Sequence, residues 1–546
     1  MSPPEDAPSW WTEWQLWLVL VVAALAVLPR IDAVPFRGEE HRRVQVTAEM
    51  AARGDWMVPR EQGQVFLSRP PLQQWVLAAS GWLFPDNDRL AARIPCALAV
   101  LLTSLLLYGY CRQFIGRSGA FVAALAYPTS GEILGQAQQA ETEAIFIFLM
   151  SSALILWHWG YARGWSATTT WALGYGFAAA AGLCKGGLQP PVYLLGPVGL
   201  YLLWKRDLRY ASSVGHLVGL IFGIALVAAW AVPCAARIGW VLTKYVWMSD
   251  TSSRFMDWQA GAVFAHLARF PAEVVGCLLP WSLLIPAAIV PAVRRALAGN
   301  DAVAFSCIVL LVAIPTCWIP PGGQTRYLAA VYPFFAVLVG VLADRALAVE
   351  IAGVMWRRYL LAASVFLVFL AVAGVVGAGM VRGTALERVT LPPGRAAVYA
   401  LALVVLAAVM AQLRHARTPG GMIASAVAVA MACAVIHTGA LNEARAAYTN
   451  DIAALVEPVR RRVPQEAMVV GLGDVHAAVR YHLQREVPRP YPWEQPDVPP
   501  GAYFCFNMYG GVRPALPFEW EEVGVVSVDR FRDRKPECEV LVGRRR

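Results

Sequence analysis

The sequence predicts an all-α polytopic membrane protein with a small α/β domain at its C-terminal end. Of the 546 residues, 58% are hydrophobic and only 15% are charged, whereas a soluble domain usually carries about a quarter charged residues. The apolar residues fall in runs of roughly twenty, which are long enough to cross a hydrocarbon core of about 30 Å. One such run can be buried in a soluble protein, but no soluble fold has an interior large enough for a dozen of them.

The apolar runs define about thirteen candidate membrane spans by their length. They lie near residues 14–31, 91–111, 118–135, 143–161, 169–184, 189–204, 213–235, 272–292, 301–319, 327–347, 358–381, 396–413 and 420–440. The first run lacks the basic flank and the small-residue cleavage site of a signal peptide. We therefore predict that it is retained as the first helix.

Arginine and lysine residues are concentrated in alternate short loops, and this distribution predicts the orientation. The basic loops follow the even-numbered spans and carry Arg112 and Arg117; Arg163; Lys205, Arg206 and Arg209; Arg294 and Arg295; Arg345, Arg357 and Arg358; and Arg414 and Arg417. The positive-inside rule makes these loops cytoplasmic. The N-terminus is then cytoplasmic, and an odd number of spans places the tail outside. The same clustering accounts for the net charge of +9 without nucleic-acid binding.

The chain is predicted to contain two domains. Residues 1–441 form the transmembrane domain, including an external loop at 32–90 with surface helices, and residues 442–546 form a soluble extracytoplasmic domain. The tail alternates apolar and polar residues in a pattern typical of a small α/β unit. Its predicted elements are a strand at 468–471, a helix at 475–483 and strands at 502–506, 523–528 and 538–542.

Gly471 and Gly473 raise the possibility of a nucleotide-binding loop, and the ten cysteines raise the possibility of a disulfide bond. Gly471 and Gly473 lack the third glycine of a nucleotide-binding loop, so we discard that interpretation. Eight cysteines lie in or beside apolar runs, where they are predicted to be small packing residues. Cys505 and Cys538 lie in the polar tail, and an external location would allow a disulfide between them.

The first external loop carries a conspicuous acidic pair, Glu39 and Glu40. Residues 39–53 contain no proline or glycine, and Gly54 is a suitable helix stop, so a surface helix is predicted here. Acidic residues interact favourably with the positive end of a helix dipole. A purely structural role is therefore the alternative to a catalytic one. The loop continues through Asp55 and Trp56 to Arg60.

Several other external charges lie close to the predicted membrane boundary. Arg69 precedes Pro70 and Pro71, where it is a candidate phosphate ligand or an arginine that extends to lipid headgroups. Acidic residues at the membrane edge are costly unless they are used, although a helix cap is an alternative for Glu141 and Glu143. The remaining candidates on this side are Lys185, Arg254, His266, Arg326 and Tyr327. A phosphorylated lipid substrate would suit this combination of acids, cations and hydroxyl-rich turns.

These residues resemble the signatures of the polytopic GT-C glycosyltransferases. The most similar types are the lipid A 4-amino-4-deoxy-L-arabinose transferases and the protein O-mannosyltransferases. The motifs that carry the resemblance are the acidic pair, Gly-Asp-Trp-x-x-Pro-Arg at 54–60, Arg-Pro-Pro-Leu-x-x-Trp at 69–75, Arg-Ile-Pro at 93–95, Thr-Glu at 142–143, Lys-Gly at 185–186, Pro-Trp at 280–281, and Arg-Tyr at 326–327 through Tyr-Pro at 332–333. Together they span most of residues 10–345.

The resemblance implies a GT-C fold in the bacterial cytoplasmic (inner) membrane, with the C-terminal domain in the periplasm. It implies transfer of a sugar, with inversion and without a covalent intermediate, from a polyprenyl-phosphate carrier such as undecaprenyl phosphate. The acceptor would be a hydroxyl or phosphate of a lipid (lipid A-like) or a protein at the external face.

The resemblance also assigns residue roles. Glu39 corresponds to the essential acid of the first loop, and Glu40 and Glu143 would assist it or hold a divalent cation such as Mg or Mn. Any metal would lie at Glu39 and Glu143. The candidate donor-phosphate ligands are Arg69, Lys185, Arg326 and Tyr327, and the accessory candidates are Glu141, Arg60, Arg254 and His266. The family usually has Asp, Asp and Lys at the positions of Glu39, Glu143 and Arg69. This chain therefore keeps the charge at each position but has a side chain of different length.

Three other protein classes compete with this prediction. A transporter of a lipid-linked or small anionic substrate would show inverted repeats and charges in the middle of its spans, but we find no repeat and the acids lie in external loops. Oligosaccharyltransferases and glycan ligases are a second alternative. The former carry a Trp-Trp-Asp type motif, whereas Trp493 and Trp520 stand alone in this tail. The clustered external charges argue against a non-catalytic scaffold.

Overall fold

A computed structural model of the chain describes residues 10–252, 260–380, 391–448, 451–473, 475–488, 498–509, 512–513, 515–528 and 538–546. The chain folds into two compact units. The first, which we call the bundle unit, comprises Met1–Ile31, Ser68–Pro70 and Arg93–Ala444. The second, the tail unit, comprises Asp32–Leu67, Pro71–Ala92 and Arg445–Arg546.

Long apolar helices make up most of the bundle unit. Within the described residues, eight helical stretches are long and apolar enough to cross a membrane: Asp88–Cys111, Glu143–Arg163, Val214–Ile238, Asp301–Trp318, Thr325–Ala348, Glu350–Met380, Pro393–Leu413 and Pro419–Arg462. A ninth is added if Gly261–Cys277 and Trp281–Ile289, which meet at 119°, form one broken span. The chain is therefore an integral membrane protein.

Shorter helices complete the bundle unit. They are Trp14–Val27, Arg117–Ala126, Gly131–Ala137, Ala167–Lys185, Gln189–Lys205, Leu208–Ala211, Trp240–Ser252, Ala260–Cys277 and Pro291–Leu297, and a π-helix occupies Val435–Leu441. All thirteen predicted runs coincide with helical segments, and the all-α prediction is confirmed. The run near 272–292 differs in form. Pro280, which lies between the two helices, removes a backbone donor and clashes with the preceding turn, so the helices meet at a sharp angle there.

Glycines allow two helices of the bundle unit to pack closely. Gly215, Gly219 and Gly223 recur every fourth residue on Val214–Ile238. A Cβ at Gly219 would lie 2.7 Å from the Trp171 backbone, and one at Gly223 would lie 3.0 Å from Tyr175 Cβ. In membranes, small residues at this spacing let helix backbones approach. This stripe therefore fixes the helix Ala167–Lys185, which ends at Lys185.

At one end of the bundle unit, the predicted basic loops contact one another; we call this the basic end. Three ion pairs lie here: Arg112 Nη2 with Glu13 Oε1 at 2.8 Å, Lys205 Nζ with Asp301 Oδ1 at 2.6 Å, and Arg417 Nη1 with Glu350 Oε2 at 2.7 Å. Three hydrogen bonds join further loops: Arg163 Nη2 donates to the Gln113 carbonyl at 3.2 Å, Asn300 Nδ2 to the Phe114 carbonyl at 3.3 Å, and the Gly116 amide to Asp344 Oδ1 at 3.0 Å. Loops that follow six different spans therefore lie at one end of the unit.

The tail unit contains two sheets among its described residues. A hairpin pairs β1 (Arg60–Glu61) with β2 (Gln64–Val65). A four-stranded sheet has the order β3-β4-β6-β5. Its strands are β3 (Val469–Leu472), β4 (Tyr503–Tyr509), β5 (Trp520–Val528) and β6 (Cys538–Arg545), with β3 parallel to β4 and the other pairs antiparallel. The predicted strands of the tail are confirmed.

Helices of the tail unit complete its core. They are Glu40–Arg53, Leu72–Leu83, Ile452–Arg462 and Ala477–Leu483. Val456 and Val479, from the last two, are fully buried in one cluster with strand residues such as Val540. The helix predicted from Glu39 to Gly54 is present, and Gly54 ends it with φ +65°. The helix Ile452–Arg462 was not predicted.

The division between the two units differs from the predicted one at residues 32–90. The predicted transmembrane domain includes this loop, whereas most of the loop belongs to the compact unit of the tail. Side-chain contacts provide the reason. Glu61 pairs with the buried Arg480, and the Tyr481 hydroxyl donates to Asp88 Oδ2 at 2.6 Å. Loop and tail therefore share one folded body.

The two cysteines of the tail do not form a disulfide. Cys505 is a free, buried thiol in β4, and burial raises its pKa to about 12. In the sheet register Cys505 lies opposite Val542, while Cys538 lies opposite Tyr509. Four residues of strand therefore separate the two positions, too far for a disulfide bond.

Candidate active site

The bundle unit contains a buried ion pair between Lys185 and Glu143. Lys185 Nζ lies 3.4 Å from Glu143 Oε1, and the two side chains are 2% and 0% exposed. The ammonium also lies over the rings of Phe146 and Tyr327, at 4.9 Å and 4.6 Å from their centroids. Aromatic faces and a carboxylate together can hold a cation away from water. The structure therefore brings together three predicted site residues from different spans.

Arg326 adds a second cation to this group. Its Nε lies 4.0 Å from Glu143 Oε1, and its guanidinium carbon lies 5.3 Å from the centre of the Tyr327 ring. The Arg326 side chain is 26% exposed and reaches the surface of the protein, whereas the Lys185 side chain is buried. We call Glu143, Lys185, Arg326 and Tyr327 the cation cluster. Glu143 contacts both cations, and Glu141 also interacts electrostatically with Arg326. With Arg69, which binds the adjacent Thr142, three cations lie beside two carboxylates and leave an excess of positive charge.

Arg69 lies close to the same acidic segment. Its Nη1 donates a short hydrogen bond to Thr142 Oγ1, and its side chain is buried. Two thiols hold the backbone nearby: Cys96 Sγ donates to the Glu141 carbonyl at 3.3 Å, and Cys184 Sγ lies 3.9 Å from the Thr142 carbonyl. Segment 141–143 is thus positioned by contacts from several helices.

The turn after Lys185 is shaped by glycine. Gly186 has φ +76° and ψ −168°, a conformation that side chains rarely adopt. A Cβ there would lie 2.6 Å from the Trp247 carbonyl and 3.3 Å from Pro70 Cδ. The Gly187 amide donates to the same Trp247 carbonyl at 2.7 Å. This turn ends the helix immediately after Lys185 and so fixes where the ammonium lies.

The acidic pair of the first loop lies in the tail unit. Glu39 is the N-cap residue of Glu40–Arg53 and is 42% exposed, with Oε2 2.7 Å from Arg42 Nη1. Glu40 is fully buried, and its Oε2 accepts the Arg37 amide at 3.0 Å. The exposed member of the pair is therefore Glu39, the residue that the resemblance selects as the catalytic acid.

Arg42 was missed by the sequence analysis, although it lies one helical turn after Glu39. Besides Glu39 it contacts Glu61, with Nε 3.2 Å from Oε1, and Glu61 also pairs with Arg480. Alternating charges therefore connect Glu39 to the tail helix Ala477–Leu483. The spacing of three residues between Glu39 and Arg42 was the available signal.

Among the accessory candidates, Glu141 lies near the cation cluster, where it interacts electrostatically with Arg326, whereas the described contacts of Arg60 and His266 are with other residues. Arg60 Nη1 donates to the Gly63 carbonyl at 3.3 Å in the tail unit. His266 Nε2 contacts the Cys317 carbonyl at 3.1 Å, and its ring packs against Phe270. Glu141 is buried, with its backbone held by Cys96. Arg254 lies outside the described residues.

The residues around Glu143 do not fit a divalent cation. A hard cation needs several oxygen ligands, whereas the neighbours of Glu143 are Lys185 and Arg326, which would repel it. Across the described ranges, no group of three or more His, Cys, Asp and Glu side chains has the arrangement of a metal site. We assign no step of the reaction to a metal.

The sequence is similar to known proteins over parts of its length. The family described as Dolichyl-phosphate-mannose-protein mannosyltransferase matches residues 68–232, which include Arg69, Glu143 and Lys185. Among curated proteins, an undecaprenyl phosphate-alpha-4-amino-4-deoxy-L-arabinose arabinosyl transferase from Pseudomonas paraeruginosa is 28% identical over 60% of this chain and 59% of its own length. The corresponding transferase from Edwardsiella ictaluri is 27% identical over 50% of each chain. The chain spans about half the length of the curated relatives that it matches.

The solved structure of ArnT from Cupriavidus metallidurans bound to undecaprenyl phosphate has the same fold. Its TM-score is 0.72 over 98% of both chains, at 18% sequence identity. Its apo state gives 0.70 over 97% of both chains. The chain therefore has the fold of this solved structure. In sequence it is similar to the 4-amino-4-deoxy-L-arabinose arabinosyl transferases and, over residues 68–232, to the mannosyltransferase family.

Proposed function

We propose that this protein is a membrane glycosyltransferase that moves a sugar from a polyprenyl-phosphate carrier to a lipid or protein acceptor at the extracytoplasmic face. The observation that carries the proposal is the cation cluster. Lys185 and Arg326 converge on one carboxylate beside Tyr327, and Arg69 joins the adjacent Thr142. Such an excess of buried positive charge at the end of apolar helices suits the phosphate of a lipid carrier.

The chemistry of the transfer uses this charge directly. The acceptor oxygen forms a bond to the anomeric carbon while the bond from that carbon to the phosphate oxygen breaks. The departing polyprenyl phosphate gains negative charge, which Lys185, Arg326 and Arg69 stabilise. Glu143 is a positioning residue in this scheme because it orients the two cations without touching the reacting atoms.

A protein or lipid hydroxyl must lose its proton as it attacks. We assign that proton to Glu39, because Glu39 is the exposed member of the acidic pair and the resemblance selects it. Glu40 is fully buried and accepts a backbone amide, so it stabilises the start of the surface helix. Arg42 holds the Glu39 carboxylate in place through its contact at 2.7 Å.

The proposed orientation places the N-terminus in the cytoplasm and the tail unit in the periplasm. The contacts of the basic end support it, because they join loops from six even-numbered spans that the positive-inside rule assigns to the cytoplasm. Contacts among loops after odd-numbered spans are consistent with this. Glu443 Oε2 accepts from Arg30 Nη1 and from the Tyr399 hydroxyl, each at 2.8 Å. The cation cluster likewise joins loops after odd-numbered spans.

Transfer of a labelled sugar tests the proposal. Purified protein in lipid vesicles would receive an undecaprenyl-phosphate-linked sugar, and label would be counted separately in lipid A and in protein. We expect Glu39→Gln to lower transfer about a hundredfold or more, as loss of a general base does, while binding of undecaprenyl phosphate stays unchanged. We expect Arg326→Gln to weaken carrier binding itself.

The control is Glu350→Gln, which also removes one carboxylate but lies at the basic end with Arg357 and Arg417. It should transfer at the rate of the unaltered protein. If the unaltered protein labels neither fraction but moves the carrier-linked sugar across the vesicle membrane, the transporter alternative replaces the transferase. Full transfer by Glu39→Gln would remove Glu39 from the mechanism.

A further inference from the structure

A cavity of about 420 Å³ lies at the basic end of the bundle unit, and its volume is in the range of about 300–1,000 Å³ that is typical of ligand pockets. The ends of four helices line it: Trp14–Val27, Arg117–Ala126, Tyr332–Ala348 and Pro419–Ala434. Its lining residues differ from those of the cation cluster and the acidic pair. The cavity is therefore a separate candidate for ligand binding.

Asp344 supplies a carboxylate to this cavity. Its Oδ1 atom accepts the Gly116 amide at 3.0 Å, and a Cβ at Gly116 would lie 2.7 Å from that oxygen. Among the described residues, this hydrogen bond is made without any ion pair to the Asp344 carboxylate. Acidic side chains in membrane spans are usually paired or used, so a cation from a ligand would complete the contacts of Asp344.

Gln15 adds a second acceptor to the wall of the same cavity. Its side chain is 7% exposed, and its Oε1 atom is buried without a hydrogen-bond partner in the described part of the chain. Buried polar atoms of this kind are nearly always paired in folded proteins. A primary ammonium group carries three N–H donors, so one such group can donate to Asp344 and to Gln15 together.

Arg117 supplies the opposite charge to the cavity. Its Nε lies 3.1 Å from Glu13 Oε1, and its side chain is 48% exposed, which leaves further guanidinium N–H groups for a ligand. Arginine forms strong, charge-assisted hydrogen bonds with phosphate oxygens. Arg117 follows Gly116, whose amide binds Asp344. A site for a phosphate and a site for an ammonium group therefore lie side by side.

The cavity also has an apolar side that indicates a lipid. Leu347 and Ile423 line it, and Trp14, which lines it as well, is 60% exposed. Tryptophan is enriched where lipid headgroups meet the hydrocarbon core, because its ring is apolar and its N–H is polar. Charged groups and apolar groups therefore meet in this cavity as they do at the surface of a membrane.

We infer that this cavity binds the headgroup of an aminophospholipid, such as phosphatidylethanolamine, from the leaflet that contacts the basic end. The ammonium group donates to Asp344 and Gln15, and the phosphate accepts from Arg117. A short ethylene link joins these two groups in the lipid, which suits sites that lie side by side. Phosphatidylcholine has no N–H to donate, and phosphatidylglycerol has no cation for Asp344. The site takes no part in the proposed sugar transfer.

Lipid binding to the full-length protein tests this inference. Purified, delipidated protein in detergent would be titrated with phosphatidylethanolamine, phosphatidylcholine or phosphatidylglycerol carrying the same acyl chains, and native mass spectrometry would count the bound lipids. We expect the unaltered protein to bind phosphatidylethanolamine about tenfold more tightly than either other lipid, as one additional charge-assisted hydrogen bond provides. Asp344→Asn should abolish that preference, because the ammonium group then loses its carboxylate.

Two glycine variants cover the case that Asp344→Asn does not fold. Gly420 lines the cavity, and a Cβ there meets no atom within 4 Å. Gly420→Leu should therefore fill the cavity and lower the affinity for phosphatidylethanolamine about tenfold. The matched control is Gly394→Leu, which likewise follows the first proline of a helix and has open space around its Cβ. It should bind lipid as the unaltered protein does.

Several results would overturn the inference. They are equal affinity for the three lipids, tightest binding of phosphatidylglycerol, a preference that survives in Asp344→Asn, and equal losses in the two glycine variants. The titration requires neither a sugar donor nor an acceptor. Its result is therefore independent of whether the protein transfers a sugar.

Discussion

Lys185 is a buried cation whose position is set by one carboxylate and two aromatic rings. The energetics of such a pair are asymmetric. Breaking a buried pair leaves an uncompensated charge in a low-dielectric interior, whereas replacing both partners by neutral groups is often tolerated. At the scale of the residue, the stability of this region and the phosphate binding that we propose for it therefore depend on the same side chains in different ways.

This asymmetry predicts the behaviour of single and double variants. Lys185→Met should lower the free energy of unfolding by about 3 kcal/mol, because Glu143 then loses its nearest cation. The double variant Lys185→Met with Glu143→Gln should recover most of that stability and still fail to bind undecaprenyl phosphate. Thermal unfolding in detergent and a carrier-binding assay measure the two effects. Equal stability of the single variant and the unaltered protein would contradict the expected compensation.

The sequence identified the cations of the site but not their arrangement. Lys185 is a candidate in the sequence because it lies close to the predicted membrane boundary, and that reason does not depend on three-dimensional contacts. Its pairing with Glu143 joins the ends of two different spans, which periodicity cannot align.

The turn from Lys185 to Gly187 connects local backbone geometry to the site. Gly186 combines a positive φ with an extended ψ, and the carbonyl of Trp247 lies where a side chain would begin. The helix Ala167–Lys185, which precedes this turn, is held by close packing against the glycines of Val214–Ile238. At the scale of the element, the site depends on close backbone approaches at which larger residues would collide.

Gly186→Ala tests this dependence. The added Cβ would lie 2.6 Å from the Trp247 carbonyl, and the backbone conformation would be strained by about 1–3 kcal/mol. We expect lower thermal stability and weaker carrier binding, since Lys185 must shift with the turn. The matched control is Gly199→Ala, because a Cβ at that helical position meets no atom within 4 Å. Equal losses in both variants would mean that the turn has no special role.

Elements were predicted well where a periodic apolar run stood alone and poorly where prolines intervened. The strands of the tail and the helix that begins at Glu40 follow alternation and stop signals that are local. The bend between Cys277 and Trp281 was not predicted, because an apolar run of sufficient length suggests a straight span. Ile452–Arg462 was missed because it contains Pro458 and ends in three arginines, a pattern that resembles a basic linker.

Residues far apart in the chain share one body in the tail unit. Glu61 of the first loop is 8% exposed and pairs with Arg480, which is 1% exposed, while Arg42 contacts the same carboxylate from the surface helix. At the scale of the whole molecule, the tail is therefore part of the compact unit that holds the loop at residues 32–90. The sequence could not show this, because 419 residues separate Glu61 from Arg480.

Removing Arg480 should loosen the first loop. Arg480→Met leaves Glu61 buried with only Arg42, and we expect stability of the tail unit to fall by about 3 kcal/mol. Trypsin should then cleave faster near Arg53 and Arg60, which mass spectrometry would locate. The control Arg546→Met removes an exposed arginine beside Glu521 and should leave the cleavage rate unchanged. Faster cleavage confined to residues after Arg445 would show that the loop does not depend on the pair.

The carboxylate of Glu13 has a consequence for biosynthesis. It is 2% exposed and is held by Arg112, Arg117 and the Tyr108 hydroxyl, all about a hundred residues later in the chain. A ribosome that has released the first helix into the membrane has not yet made the partners of that acid. The acid of the newly made helix therefore lacks these partners until the second span and the loop after it have been made. The first helix can therefore complete the contacts of Glu13 only after the chain as far as Arg117 has been made.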